Sequence, residues 1–356
     1  MHLSARSRTI GTICAVILTV LSYSSTPAQQ TLGLFQNDPA AFEGYNLFIQ
    51  IRSTTAYLID NYGREVHSWE TTYQPAFSVY LLENGNLLCT GRLTAGTGYG
   101  GMIQKLDWDG TVLWEYQYYD STHIQHHDIE PMPDGNVLIM AWENKDRRQA
   151  IDAGKDSTVL GDSLAPLHII EVEPTGPTTG DIVWEWHVWD HVIQDHDATK
   201  ANFGDVAAHP ELVDINYPPD RSVSDWVHAN SVMYNPDLDQ VMISSLAFSE
   251  VWVIDHSTTS AEAAGHAGGN SGKGGDLLYR WGNPIAYRAG TDDDRVFFGQ
   301  HDAQWIPSGF PGAGNITVFN NGTGRPDGDY SSADEIVPPV DGAGVYTQPG
   351  QGEAFE

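Results

Sequence analysis

Residues 125–143, QHHDIEPMPDGNVLIMAWE, set two histidines and an aspartate at the head of an apolar alternation. A Pro-Asp-Gly-Asn turn and a second apolar run follow. Alternation on both sides of a turn that tolerates positive φ is the pattern of an antiparallel hairpin. The arrangement returns as VHANSVMYNPDLDQVMISS at 227–245 and as QHDAQWIPSGFPGAGNITVF at 300–319. A further copy, FSVYLLENGNLLCTG at 77–91, carries phenylalanine where the others carry histidine.

Between these copies lies a second hairpin type, whose last strand ends in tryptophan. It reads AYLIDNYGREVHSW at 56–69, IQKLDWDGTVLWEY at 103–116 and HIIEVEPTGPTTGDIVWEW at 168–186, and it recurs in longer form from Val251 to Gly282. The two types take turns, so together they make a four-stranded antiparallel unit. In 127–186 its strands are HDIEPM, VLIMAW, HIIEVE and DIVWEW. Helical periodicity is nearly absent, and 11 Trp and 16 Tyr suit half-buried pleated surfaces. Such units at irregular spacing predict an all-β fold, a β-propeller of sequential blades with long insertions. A β-sandwich leaves the alternation of hairpin types unexplained. The propeller is expected over 45–356, after a linker at 29–44. It is expected to be incomplete at the C-terminus, because 45–69 reads as an outer hairpin without inner strands; residues 320–356 are expected to be the least regular part.

The first 28 residues, with Arg6 and Arg8 ahead of an apolar stretch at 10–21 and small residues near Ala28, read as a secretory signal peptide. That stretch is too short to span a membrane. The mature protein is therefore expected in the periplasm or outside the cell, with no membrane span. Of the two cysteines, Cys14 leaves with the leader and Cys89 remains alone, which excludes an internal disulfide or a cysteine metal site. Losing Arg6 and Arg8 takes the formal net charge of −30 two units lower. A field of that sign repels nucleic acid and anionic membranes, so neither is expected as a partner.

Counting back eight residues from the turn glycines Gly85 and Gly135 reaches Phe77 and His127, and a looser alignment reaches His228 and His301. In a propeller the first strand of each blade lines the axis. Three histidines from three blades thus converge at one end of it, as a site requires.

The motifs HHDIEPMPDGNVL, DWVHANSVMYN, LLYRWGNP, GQHDAQWIP and FNNGTGRPDGDYSS together resemble the bacterial arylsulfate sulfotransferases, over most of 45–356. The resemblance implies a secreted six-bladed propeller that moves a sulfuryl group from a phenolic sulfate to a phenolic acceptor, with no nucleotide donor and no cofactor. It also implies a pocket of three histidines and an arginine, with His301 as nucleophile and His127 and His228 as partners. Neutral imidazole has the lone pair that sulfuryl transfer needs, and His127, His228 and Asn230 can donate to the sulfuryl oxygens. His228 and Asn230, two apart, share a strand face. The sequence departs from the family at Leu246, in MISSLAFSE, where an arginine is expected. Leucine brings no charge. Slow turnover of simple arylsulfates follows, or a substrate that meets Leu246 through an apolar contact. Arg280, Arg288 and Arg295 are the candidates to restore the charge from another loop.

Two other readings compete. His123, His126, His127 and Asp128, with His187, His191 and His196 of HVWDHVIQDHD, offer nitrogen and oxygen ligands to a metal, without HExxH-type spacing. Alternatively, a non-catalytic propeller binds a glycan or protein at its rim. The Gly-rich stretch 265–276 lacks the Walker A pattern and reads as a flexible insertion.

Overall fold

The expected hairpins form where the turn residues call for them. Gly85 and Gly135 stand at φ 85° and 97°, and each donates to the carbonyl three residues back, Leu82 and Met132. No other residue type enters that region without strain. The computed structural model describes residues 33–93, 100–218, 224–349 and 353–355; the predicted leader lies outside them.

Five antiparallel sheets succeed one another along the chain as the blades of a propeller. The first is three-stranded, Tyr45–Ile49, Thr55–Asp60 and Glu65–Glu70. Three four-stranded blades follow: Pro75–Leu81 to Val112–Gln117, His123–Pro131 to Thr179–His187, and Ala229–Asn235 to Tyr279–Trp281. The last holds His301–Trp305, Ile316–Asn320 and Ser332–Ile336. Two expectations change. The blades number five among the described residues, where the resemblance implies six. The segment 45–69 is not only an outer hairpin, since Tyr45–Ile49 packs beside Pro75–Leu81 as an inner strand. Beyond residue 320, Tyr346 stacks on Tyr279 with centroids 4.9 Å apart, and Phe355 is buried against the same ring.

The recurrent tryptophans explain how the blades hold together. Trp69, Trp114 and Trp184 are each buried, and each indole N–H donates into the next blade: Trp69 to the Asp107 carbonyl at 3.0 Å, Trp114 to the Thr179 carbonyl at 3.0 Å, Trp184 to the Thr258 hydroxyl at 3.1 Å. A buried indole needs such a partner, and here it ties blades that share no ladder. Cys89 is buried and free, its thiol pushed up to about 12 by burial. The Gly-rich insertion is not an open loop. It folds back on itself through Gly275 N–H to the Gly265 carbonyl and Gly274 N–H to the Gly268 carbonyl.

Arg280 and Glu250 lie fully buried in the fourth blade. The guanidinium donates to both carboxylate oxygens, at 2.9 and 2.5 Å, and to the Leu212 carbonyl at 3.0 Å, while Trp252 donates to the same carboxylate at 2.8 Å. Removing one member strands a buried charge. Arg280→Met is expected to cost about 3–5 kcal/mol in denaturant unfolding, and adding Glu250→Met to recover part of it. An unchanged midpoint in the single variant would contradict this account.

Candidate functional site

At the head of the inner strand of the second to fifth blades the ladder slips. Register shifts fall between Pro75 and Val79, Gln125 and Ile129, Ala229 and Ser231, and His301 and Gln304. Inside or beside each slip stands a non-glycine residue with positive φ: Phe77 at 89°, His127 at 51°, His228 at 45° and Asp302 at 54°. A bulge lifts a side chain out of the pleat and re-aims it, and left-handed non-glycine backbone stores strain at functional sites.

These side chains meet at one end of the axis. Phe77, His127, Asn230 and His301 line a single cleft of about 580 Å³, walled by Leu47, Phe48 and Ile49 of the first blade. His228 packs edge-on against His127 with ring centroids 5.0 Å apart. All four residues singled out in the sequence thus come together from three blades. Three further bonds fix the blades at this level. Asp128 accepts from the Tyr80 hydroxyl at 2.8 Å and the Val232 N–H at 3.1 Å, and Ser231 accepts from the Ala303 N–H at 3.0 Å.

Each imidazole has its own setting. His301 turns Nδ1 to the Asn321 side-chain oxygen at 2.7 Å and the Gly299 carbonyl at 3.1 Å. Both partners only accept, so Nδ1 carries the proton and Nε2 keeps its lone pair. His228 gives Nδ1–H to Asp225, which also takes the Trp142 indole N–H at 2.9 Å. Burial pushes the Asp225 carboxyl up, but His228 and Trp142 hold it below its ordinary value. His127 is pushed down to about 4 by burial and by the neighbouring His228 and His301. Its Nδ1 lies 2.9 Å from Nδ1 of His126, so one proton serves both. His126 is itself fully buried and lowered, chiefly by burial. Asn230 donates to the Gln300 carbonyl at 2.7 Å and so holds the backbone that presents His301.

Asn321 and Asp225 carry no role in the sequence reading, and His126 only that of a metal ligand, although all three sit inside the quoted motifs. Leu246 is half-buried, its N–H donating to the His228 carbonyl at 3.1 Å. Of the three candidate arginines, Arg280 is committed to Glu250, and Arg288 pairs with Asp214 at 2.9 Å. Arg295 donates to the Ser249 hydroxyl at 2.7 Å and the Phe297 carbonyl at 2.9 Å. A cation the sequence reading passed over, Arg92, lies over Phe77 at 5.3 Å, and Phe77 stacks on His127 at 5.2 Å. The charge stands one ring away from the histidines.

The histidines of the metal reading divide among separate places. His187 faces Glu143 at 3.1 Å, and His191 faces Asp276 at 2.8 Å. Neither ion pair is with a residue of the cleft.

A β-propeller, with five blades among the described residues and three histidines gathered at its axis, defines the class of protein. The arylsulfotransferase (ASST) family profile matches residues 22–337, and the chain belongs to that family. No curated protein matches it. Among solved structures it is similar to a protein of unknown function from Bacteroides caccae (12% identity, 77% of this chain and 64% of that one, TM-score 0.39). It is also similar to Kuenenia stuttgartiensis hydrazine synthase (13%, 82% and 68%, 0.43) and to virginiamycin B lyase from Staphylococcus aureus (12%, 85% and 84%, 0.34). The chain spans 64% of the length of the first of these.

The low value at His127 has a consequence for stability. As pH falls, the unfolded chain takes up its proton near 6.5 and the folded chain only near 4. The stabilisation by neutral His127 is thus complete above about 6.5 and is lost as pH falls towards about 4. Between pH values of about 7 and 5 the urea midpoint of His127→Gln is expected to fall less than that of the wild type. Equal falls would mean that His127 does not titrate in this way.

Proposed function

We propose that this protein is an arylsulfate sulfotransferase that carries the sulfuryl group on His301 and works outside the cytoplasm. The single observation behind this reading is the pair of acceptors at Nδ1 of His301, a residue of the cleft, which in the neutral ring leave the lone pair on Nε2. Nε2 attacks the sulfur of a phenolic sulfate, the N–S bond forms, and the aryl O–S bond breaks with its electron pair leaving on the phenoxide. Positive charge grows on the ring in that step, and Asn321 and Gly299 accept from the N–H that bears it. An acceptor phenol then attacks the sulfur and loses its proton to solvent, the N–S bond breaks, and neutral His301 returns. Metal and nucleotide have no part in the cycle.

His228, backed by Asp225, is placed to donate to the sulfuryl oxygens. His127 does the same while neutral, provided the shared proton sits on His126. Asn230 positions His301 through Gln300. Pre-organised donors of this kind stabilise the charge of the transition state. The donor is a phenolic sulfate and the acceptor a phenol, bound against Phe48 and Phe77 at the cleft wall.

The decisive experiment treats the protein with 4-nitrophenyl sulfate and locates any added SO3 by peptide mass spectrometry. The adduct is expected on the peptide carrying His301. His301→Gln is expected to abolish transfer to an added phenol, and His127→Ala or His228→Ala to slow it by about 10²–10³-fold. Full activity in His301→Gln overturns the assignment.

Leu246 leaves the pocket without the fixed charge of its family, and Arg92 acts only from behind Phe77. Leu246→Arg is expected to raise transfer between phenols by on the order of 10²-fold, the weight of one positioned charge. Arg92→Leu is expected to lower it by less than that. No response to Leu246→Arg in an active protein would show that the sulfuryl oxygens do not approach this position.

A further inference from the structure

Away from the cleft, two insertions bring three metal-binding side chains together. His191 closes a short turn after the third blade, and His266 and Asp276 belong to the folded Gly-rich insertion. One donor atom of each lies within 4.8 Å of the other two. His191 Nδ1 is 2.8 Å, and His266 Nδ1 2.7 Å, from the same Asp276 oxygen.

The setting of His191 decides what this group needs. The residue has no exposed surface, and its Nε2 lies 2.8 Å from the Ala263 carbonyl. That carbonyl only accepts, so Nε2 carries a hydrogen, and the space between Nδ1 and the carboxylate oxygen is left for a proton or a metal ion. Two acceptors face each other unless a cation lies between them. A second-shell carbonyl on the far nitrogen is the usual device that orients a ligating imidazole. Gly275 is the residue that permits it. A Cβ there would come 2.1 Å from the Ala263 oxygen and 2.6 Å from His191 Nε2. The Trp186 indole donates to the Gly275 carbonyl at 2.8 Å and lies parallel to the His191 ring. The rings of His191 and His266 cross at 87°, so their in-plane lone pairs can meet at one point. His266 is 61% exposed, which leaves entry and room for water ligands.

A second trio, His168, Glu185 and His187, is equally close, but its two rings are stacked at 14° with centroids 3.9 Å apart. Lone pairs in near-parallel planes do not converge on one ion. Lys273 lies near Asp276 and Glu211 and, half-buried, has a lowered pKa chiefly through burial.

We propose that His191, His266 and Asp276 form a binding site for one divalent transition-metal ion of the zinc class, which clamps the Gly-rich insertion to the side of the propeller. Two imidazoles and a carboxylate are a donor set suited to zinc, with water completing the shell. The ion is structural and separate from the cleft.

The test uses the full chain, freed of metal by chelation and titrated with Zn2+ alone by calorimetry. One ion per chain is expected. The His266→Ala/Asp276→Asn double variant is expected to bind at least about 100-fold more weakly, exceeding the loss from an outer partner alone. Zn2+ is expected to slow proteolysis at 260–276 in the wild type and not in the double variant, whose metal-free unfolding midpoint should match the wild type. His168→Ala should bind Zn2+ normally. Absence of a bound ion overturns the proposal and leaves His191 holding a proton between Asp276 and Ala263. Binding that survives in the double variant, or vanishes in His168→Ala, overturns it too.

Discussion

Among the described residues no β-ladder joins one blade of this protein to the next, so what is placed at the axis depends on side chains that bridge blades, helped by single backbone bonds such as Glu115 N–H to the Pro177 carbonyl. The described residues do this at two radii. On the outer side, Trp69, Trp114 and Trp184 each give an indole hydrogen bond to the following blade. On the inner side, Asp128 and Ser231 accept from Val232 and Ala303. Apolar contact between sheets would allow sliding, because burial is not directional. Directional bonds fix the angle, and with it the distance between histidines of different blades.

The site uses the same economy of local distortion. In four blades a bulge at the head of the inner strand swings one side chain out of the pleat, and in two of them that residue is a histidine with left-handed backbone. Once there, the imidazoles are differentiated by their partners. A pair of acceptors fixes the proton on His301, a carboxylate backs His228, and burial with neighbouring imidazoles keeps His127 neutral. Three copies of one residue type thus meet three different sets of partners.

Much of this was legible in the sequence. Alternation and turn glycines gave the blades, and spacing from Gly85 and Gly135 predicted that Phe77 and His127 hold equivalent places. The supporting residues were not legible, because their partners are distant along the chain. Asn321 meets His301 across 20 positions, and Asp128 meets Val232 across 104. Arg92 escaped notice since its link to the site runs through the face of Phe77. The bulges also left no mark, as the residues that adopt positive φ there are not glycines. The first inner strand was missed for a plainer reason: YNLFI is short and partly exposed, and reads as weakly patterned.

Cys89, sealed in the second blade, has a practical consequence. The described part of the chain contains no disulfide, and its one thiol is too buried and too weakly acidic to react. Its covalent structure is therefore the same in reducing and oxidising surroundings. A fold built this way owes nothing to thiol oxidases or disulfide isomerases. The described fold should form equally in a reducing cytosol, and reductant added during purification would leave it untouched.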